Sequence, residues 1–432
     1  MELLKIKISK KDYTWTIVVF IFLMENCFKL INTDTVNISG AFAYSDIWLG
    51  LFILYFGIKF VKFSKMKDGG LFFTFIVLIE VMCVVAAVQQ KYYTSQPISL
   101  GIRPQRNFMI ILLSYFVITK MSEKEEINWE KLFDYFVVWG TVSSILYIIQ
   151  KLLYPSVQFL YALMNYRNGS LRIYGDSSLI DIAILIAAYR LFSSFRIKYM
   201  CTVLLGGVYL FWISQGRMEI ISILIGIIIG FLLTRKFDKK KLVLGIILVL
   251  AIGMFFVSAY GRNLVESIMS AKELGETQGN TMAIRYMGRE FYFEQLYSSI
   301  RSLLFGCGYP NSLYAPAMQR AGFNLKIGLS DNGIFGFLYV YGFLGVLLVI
   351  SVVILATKKS IEIRKYKNDS VPLMYIVTMV IMSYNVIFWY WNADGTFILV
   401  LMLCYIEREY RKIIKKKKEM KKDDTFCKSM GK

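Results

Sequence analysis

Long apolar runs separated by short polar segments make up most of this chain. A helix of about 20 residues crosses the roughly 30 Å hydrocarbon core of a bilayer. The pattern predicts about twelve spans, near residues 14–31, 43–62, 71–90, 107–120, 132–153, 176–192, 199–213, 218–234, 242–260, 333–356, 372–390 and 395–408. We therefore predict an all-α, polytopic integral membrane protein that forms one membrane domain over residues 1–432. Its largest loop, 261–332, lies between the ninth and tenth spans.

Composition agrees with a membrane protein and narrows the chemistry. Of the 432 residues, 56% are hydrophobic, whereas soluble domains contain about 45–50% apolar residues. No polar segment is large enough to be an enzyme domain of its own, so any chemistry must use the bundle and its loops. The chain has no histidine, which removes the commonest general base and metal ligand. Basic residues precede the first apolar run as in a signal peptide, but Glu25 and Lys29 within it favour a first membrane helix.

The distribution of basic residues predicts the orientation. Segments on the side of both termini hold 35 of the 50 lysines and arginines, including the basic tail 409–432. Cytoplasmic loops of membrane proteins carry such an excess, so both termini are predicted to be cytoplasmic. The net charge of +20 is then explained by orientation and lipid headgroups rather than by nucleic acid.

Arginines dominate the opposite side. Ten of the fifteen basic residues there are arginines, at positions 103, 106, 167, 172, 217, 262, 285, 289, 301 and 320. The planar guanidinium binds phosphate in a bidentate manner, which lysine cannot do. An anionic ligand on this side is one interpretation, and pairing with local acids or lipid headgroups is the other.

The loop 261–332 contains a predicted helix and a predicted turn. The segment "MAIRYMGREFYFEQLYSSIRSLLFG" predicts an amphipathic helix with Arg285 and Arg289 one turn apart on one face. A surface helix with ion pairs between turns would show the same pattern. Glycines 306 and 308 then predict a turn. Asp331 and Asn332 are natural caps for the tenth span.

Two further stretches carry candidate residues on the arginine-rich side. In "FWISQGRMEIISILIG", Arg217 and Glu219 stand at the tip of a predicted helical hairpin. In "SLRIYGDSSLIDIA", Arg172 precedes a helix that contains Asp181. Glu80 lies in the middle of the third span, and a carboxylate at that depth is expected to be functional.

The order of these features resembles the O-antigen polymerase/ligase superfamily, and within it the Wzy-like polymerases of polysaccharide repeat units. Four stretches carry the likeness, which covers most of residues 165–350: "LRIYG", "ISQGRMEII", "AIRYMGREFYFEQLYSSIRSLLFGCG" and "SDNGIFGFLYVYGFLG". The ligase branch is expected to have a histidine near position 331, where this chain has Asp331-Asn332. The departure favours a polymerase over a ligase that transfers glycan to lipid A core.

The resemblance implies a glycosyltransferase of the bacterial cytoplasmic membrane. It would join undecaprenyl-diphosphate-linked oligosaccharide units into O-antigen, capsule or exopolysaccharide at the outer face. No cofactor or metal is expected, since a donor that already carries a diphosphate needs charge stabilisation as this group leaves, and arginines can provide it. The expected partners are the lipid-linked oligosaccharide, membrane lipids, a flippase and a chain-length regulator.

Roles for individual residues follow as hypotheses. Arg217 and Arg285 would hold the diphosphate, and Arg172 and Arg289 would assist them. A general base must take the proton of the attacking sugar hydroxyl, with Asp331 as the first candidate and Glu219 as the second. Asn332 and Tyr309 are further candidates for binding the substrate. A ligase with another acceptor, and a flippase or transporter of lipid-linked oligosaccharide, are the alternatives.

Overall fold

The structure, a computed structural model, describes residues 12–32, 44–60, 70–167, 170–175, 177–233 and 281–430, with Val243 and Arg262 as single positions. About 80% of it is helical, which confirms the all-α class. The main helices are α1 (Thr14–Met24), α2 (Tyr44–Phe60), α3 (Phe73–Thr94), α4 (Arg106–Glu123), α5 (Trp129–Leu153), α6 (Ser177–Ser193), α7 (Ile197–Ser214), α8 (Arg217–Leu233), α9 (Thr281–Tyr297), α10 (Ile300–Phe305), α11 (Ala315–Arg320), α12 (Gly333–Lys367), α13 (Val371–Met382) and α14 (Ala393–Met430).

One β-hairpin interrupts the helical pattern. Strands β1 (Leu163–Arg167) and β2 (Ser170–Tyr174) pair antiparallel between α5 and α6. The hydropathy pattern does not predict it. Short helical turns occur at Asn26–Lys29, Ile98–Ile102, Arg103–Gln105, Phe323–Leu325, Ser330–Asn332 and Phe388–Trp391.

The structure does not fit the predicted count of twelve spans. Four helices of the described part are long and apolar enough to cross a bilayer, namely Phe73–Thr94, Trp129–Leu153, Ile197–Ser214 and Ser330–Lys367. Three shorter helices are apolar, Thr14–Met24, Ile47–Ile58 and Val371–Met382. The predicted span 242–260 lies outside the described residues except for Val243.

Interruptions of the helices explain the difference. Helix α1 stops after 11 residues because Asn26–Lys29 forms a turn with positive φ angles. The predicted span 372–390 is divided into α13, of 12 residues, and the short helix Phe388–Trp391. Helix α4 begins at Arg106 and ends at Glu123, so charged residues shorten its apolar part.

Apolar side chains cover the outer faces of several helices. On α3, α5 and α12 the exposed ones are Val77, Leu78, Val81, Val84, Val88, Val138, Val142, Ile145, Ile149, Leu347, Ile350 and Ile354. Monomeric soluble proteins rarely expose apolar surface in such continuous patches. These faces are suited to contact with lipid.

Ion pairs join helix ends at one end of the bundle. Arg190, near the end of α6, donates to Asp134 and to Glu130 of α5, each at 2.8 Å. Lys198, at the start of α7, donates to Asp134 at 2.9 Å. These residues lie in or beside segments predicted to face the cytoplasm. The structure therefore groups charges that the basic-residue pattern also places on one side.

Helix α12 is interrupted at Gly342, which has a φ of +66°. The loop after α10 fits into this break. The amide of Cys307 donates to the carbonyl of Tyr339 at 2.7 Å, and the amide of Gly308 donates to the carbonyl of Val340 at 3.1 Å. The glycine-spaced turn predicted from the sequence thus joins the loop to the bundle.

The amphipathic segment of the loop forms two helices, not the single helix predicted. Helix α9 ends at Tyr297, and α10 begins at Ile300 because Ser299 and Ser302 form a reciprocal cap. Each backbone amide of this pair donates to the other hydroxyl, at 3.0 and 3.1 Å. The apolar residues of this segment are divided accordingly, since Leu296 is buried whereas Ile300 is 78% exposed.

Candidate functional site

A distorted turn forms the tip of the α7–α8 hairpin. The last residues of α7, Tyr209–Ser214, make a π-helical turn, a distortion that is frequent at functional sites. Gln215 follows with a φ of 51°, and its amide donates to the carbonyl of Leu210 at 2.9 Å. Arg217 is then the first residue of α8 and is half-buried. The turn places both Arg217 and Glu219 at the start of this helix.

The carboxylate of Glu219 is buried and folds back over the turn. Only 4% of this residue is exposed. The hydroxyl of Ser214 donates to Oε2 of Glu219. Oε1 is also buried and accepts no hydrogen bond from any residue that the structure describes. A buried carboxylate oxygen without a donor is costly, so a donor from a ligand or water is expected at Oε1.

We expect Gly216→Ala to displace the Glu219 carboxylate, because a β-carbon at position 216 would collide with Oε2. If Glu219 takes part in the glycosyl transfer that the resemblance implies, the activity of the reconstituted protein should fall about a hundredfold, the lower end of the range that positioned acid–base groups contribute. The measurement is the initial rate of glycan extension.

Gly207→Ala on the preceding helix is the matched control. A β-carbon there meets no heavy atom of the described residues within 4 Å. This variant should keep wild-type activity. Equal rates for Gly216→Ala and Gly207→Ala would contradict the role of the Glu219 position.

The β-hairpin brings Arg172 to the tip of the α7–α8 hairpin. The hydroxyl of Ser170 accepts a hydrogen bond from Nε2 of Gln215 at 2.9 Å, which joins β2 to the hairpin tip. Arg172 lies two residues further along β2, with its guanidinium 4.2 Å from the ring centre of Tyr174. Its positive charge acts on Glu219. The structure therefore brings together two residues that the sequence analysis selected separately.

Two buried acids accompany Glu219. Asp181 of α6 and Asp394, in the first turn of α14, interact electrostatically with it and with each other. Oδ1 of Asp181 has no hydrogen-bond partner among the described residues. Asp181 lines a cavity of about 30 Å³ together with Leu185, Tyr375, Thr378, Trp389 and Gly395, and this volume is enough for a water molecule.

The sequence assigned no role to either acid, although Asp181 was noted in the stretch that carries Arg172. The available signal for Asp181 was its position within an apolar run, where an acid is expected to be functional. Asp394 carried a weaker signal, because an acid at the start of a helix is ordinarily explained by capping.

A second group of residues surrounds Arg289 of α9. Its Nη1 donates to the hydroxyl of Tyr384 at 3.0 Å, and Nη2 donates to Oδ1 of Asn385 at 3.0 Å. The rings of Phe335 and Tyr384 lie 4.7 and 4.6 Å from the guanidinium. Arg289 forms no salt bridge within the described ranges. Because its partners are neutral, its charge is available to an anion.

Asn332 lies beside the same helix. A β-carbon on Gly288 of α9 would stand 2.7 Å from Nδ2 of Asn332, so Asn332 packs next to the turn that carries Arg289. Nδ2 donates to the carbonyl of Gly328 at 2.9 Å. The predicted side-chain cap on α12 is therefore wrong, since Asn332 makes no cap hydrogen bond. Its neighbour Asp331 is exposed.

Two further candidate residues from the sequence are Arg285 and Tyr309. Arg285 is half-buried on α9, one turn before Arg289. The ring of Tyr309 packs at 5.8 Å from Trp391 and 6.4 Å from Tyr390. Burial raises the pKa of Tyr309, so its hydroxyl stays protonated and can donate a hydrogen bond.

The segment between α13 and α14 contacts both groups. It supplies Tyr384 and Asn385 to Arg289, and Trp389 to the cavity that Asp181 lines. The Glu219 group and the Arg289 group are thus joined by one short stretch of chain. A meeting of Arg217 and Arg285 at one ligand remains a prediction.

Comparison with known proteins does not show the family of this chain. No protein-family model matches the chain, and no curated protein matches its sequence. Within the described residues, no group of three or more histidine, cysteine, aspartate or glutamate side chains is arranged to hold a metal ion.

Proposed function

We propose that this protein is a membrane glycosyltransferase that joins oligosaccharide units carried on undecaprenyl diphosphate. The observation that supports the proposal most is the buried carboxylate of Glu219, which has one unpartnered oxygen and lies near Arg172 at the α7–α8 tip. Polymerisation would take place at the outer face of a bacterial cytoplasmic membrane.

The proposed reaction requires charge stabilisation and a base. The hydroxyl oxygen of the acceptor sugar attacks the anomeric carbon of the donor, and the bond from that carbon to the diphosphate oxygen breaks. The diphosphate leaves with the bonding electrons, and the hydroxyl proton passes to a carboxylate. Arg217 and Arg285, assisted by Arg172 and Arg289, would stabilise the leaving diphosphate.

Burial distinguishes the two candidate bases. Asp331 is exposed to solvent, whereas Glu219 is buried beside a cationic side chain. A base in a site that excludes water can accept the proton without competition from solvent. We therefore favour Glu219 over Asp331, and Asp331 with Asn332 would contact the acceptor glycan.

We place more helices in the membrane than the four long ones. The shorter apolar helices would cross the bilayer within the same bundle, and both termini would lie in the cytoplasm. The grouping of Arg190, Asp134 and Lys198 at one end of the bundle supports a cytoplasmic location for that end. Glu219 and Arg172 belong to segments predicted for the opposite, outer side.

Reconstitution with lipid-linked repeat units tests the function. Purified full-length protein in liposomes should convert single units into a ladder of longer glycans, read on a gel. Transfer to a second acceptor would indicate a ligase, and movement across the bilayer without extension would indicate a flippase. Either result would contradict the proposed polymerase.

A further inference from the structure

A second cavity is lined by residues that belong to neither of the two groups described above. It has a volume of about 300 Å³ and is lined by Arg103, Pro104, Arg106, Asn107, Asn311, Ser312 and Leu313. This volume is at the lower end of the range for small-molecule sites. Two arginines line it, and none of the described residues that line it is acidic.

The wall contributed by the outer loop is held by buried amides. Gln96, which is fully buried, donates through Nε2 to the carbonyl of Tyr309 at 3.0 Å. Its Oε1 accepts a hydrogen bond from the backbone amide of Asn311 at 2.9 Å. Asn311 in turn donates to the carbonyl of Leu100 at 2.7 Å. These hydrogen bonds therefore fix the segment that forms this wall of the cavity.

The wall that carries the arginines is fixed in the same way. Gln105 is buried between them and donates to the carbonyl of Gly101 at 2.8 Å and to that of Cys83 at 3.1 Å. The hydroxyl of Tyr341 donates to Oε1 of Gln105 at 2.5 Å. Such packing pre-organises the turn that presents Arg103 and Arg106, which lowers the entropy cost of binding.

The lining indicates the chemistry of the ligand. Two guanidinium groups suit an oxyanion such as a phosphate or a carboxylate. Oδ1 of Asn107 is buried and accepts no hydrogen bond from the described part of the chain, so it can accept one from a ligand hydroxyl. We propose that this cavity binds an anionic sugar, which carries a phosphate or a carboxylate beside free hydroxyl groups. The inference does not depend on the polymerase activity.

Saturation-transfer NMR on the full-length protein in nanodiscs of neutral lipid tests this site. The probes are glucose 1-phosphate and glucuronate, with glucose as the uncharged control. The protein carries Arg217→Gln and Arg285→Gln, so that binding at the proposed transfer site does not contribute. Binding of only the phosphate or only the carboxylate probe would identify the class of anionic sugar. Binding of neither, or equal binding of glucose, would overturn the proposal.

Variants test whether the probes bind in this cavity or elsewhere on the protein surface. Adding Arg103→Gln and Arg106→Gln should weaken binding at least about tenfold, because charge-assisted hydrogen bonds are lost. Arg196→Gln removes an exposed arginine at the start of α7 and should leave binding unchanged. Ser312→Trp keeps both arginines but fills the cavity from an exposed position, and it should also abolish binding. Unchanged affinity in the arginine variant or in Ser312→Trp would contradict the assignment.

Discussion

Arg217→Lys is expected to reduce the proposed polymerisation by about a hundredfold or more, the range found when one donor to a developing anion is removed. Lysine keeps the charge but loses the planar pair of donors that binds a phosphate. The amount of protein in the membrane should stay normal, because Arg217 is only half-buried at the start of α8. The measurement compares ladder formation with protein level in the same membranes.

The control for this variant is Arg196→Lys. Arg196 is exposed and stands immediately before α7, and the substitution makes the same chemical change. It should retain wild-type chain length. Wild-type chain length in Arg217→Lys would show that the guanidinium at the hairpin tip binds no phosphate during the reaction.

Gly342→Ala is expected to destabilise the protein by about 3 kcal/mol or more, as a strained backbone and a steric clash combine. Gly342 has a φ of +66° and a ψ of −172°, a conformation that side chains rarely adopt. A β-carbon would also collide with the amide nitrogen of Gly306 and the carbonyl of Leu304. The midpoint of thermal unfolding, followed by tryptophan fluorescence in detergent, should fall.

Gly207→Ala separates this effect from a general response to added methyl groups. Position 207 lies within a helix, where alanine is favoured over glycine by about 1 kcal/mol, and it has no close neighbour among the described residues. Its midpoint should stay unchanged or rise. Equal midpoints for the two variants would mean that the loop does not fit into the break of α12.

Local pattern was enough to predict the long helices and the grouping of charges. The apolar runs around Phe73–Thr94 and Trp129–Leu153 are continuous, so hydropathy alone locates them. The Arg190 ion pairs follow from basic residues that gather at helix ends. The number of spans was wrong because short apolar runs do not show where a turn such as Asn26–Lys29 ends a helix.

Features that depend on distant contacts were not predictable. Each strand of the β-hairpin has only 5 residues, so the alternation along Ser170–Tyr174 is too short to predict it. The attachment of the hairpin to Gln215 joins segments far apart in sequence. The glycine turn at 306–308 was predicted, but its pairing with Tyr339 and Val340 was not.

Side-chain direction also decided which candidate residues are buried. Asp331 and Asn332 are adjacent and both polar, yet one is exposed and the other is 1% exposed. Asp394 becomes part of the site only because α14 starts next to Glu219 and Asp181. The sequence carries no local signal for this arrangement.

A cryo-EM structure of the protein with a short-chain prenyl diphosphate would show whether Arg217 and Arg285 bind one diphosphate. We expect phosphate oxygens within about 3 Å of the guanidinium nitrogens of both Arg217 and Arg285, the distance of a charge-assisted hydrogen bond. A diphosphate bound elsewhere, or two arginines that open into separate cavities, would contradict it.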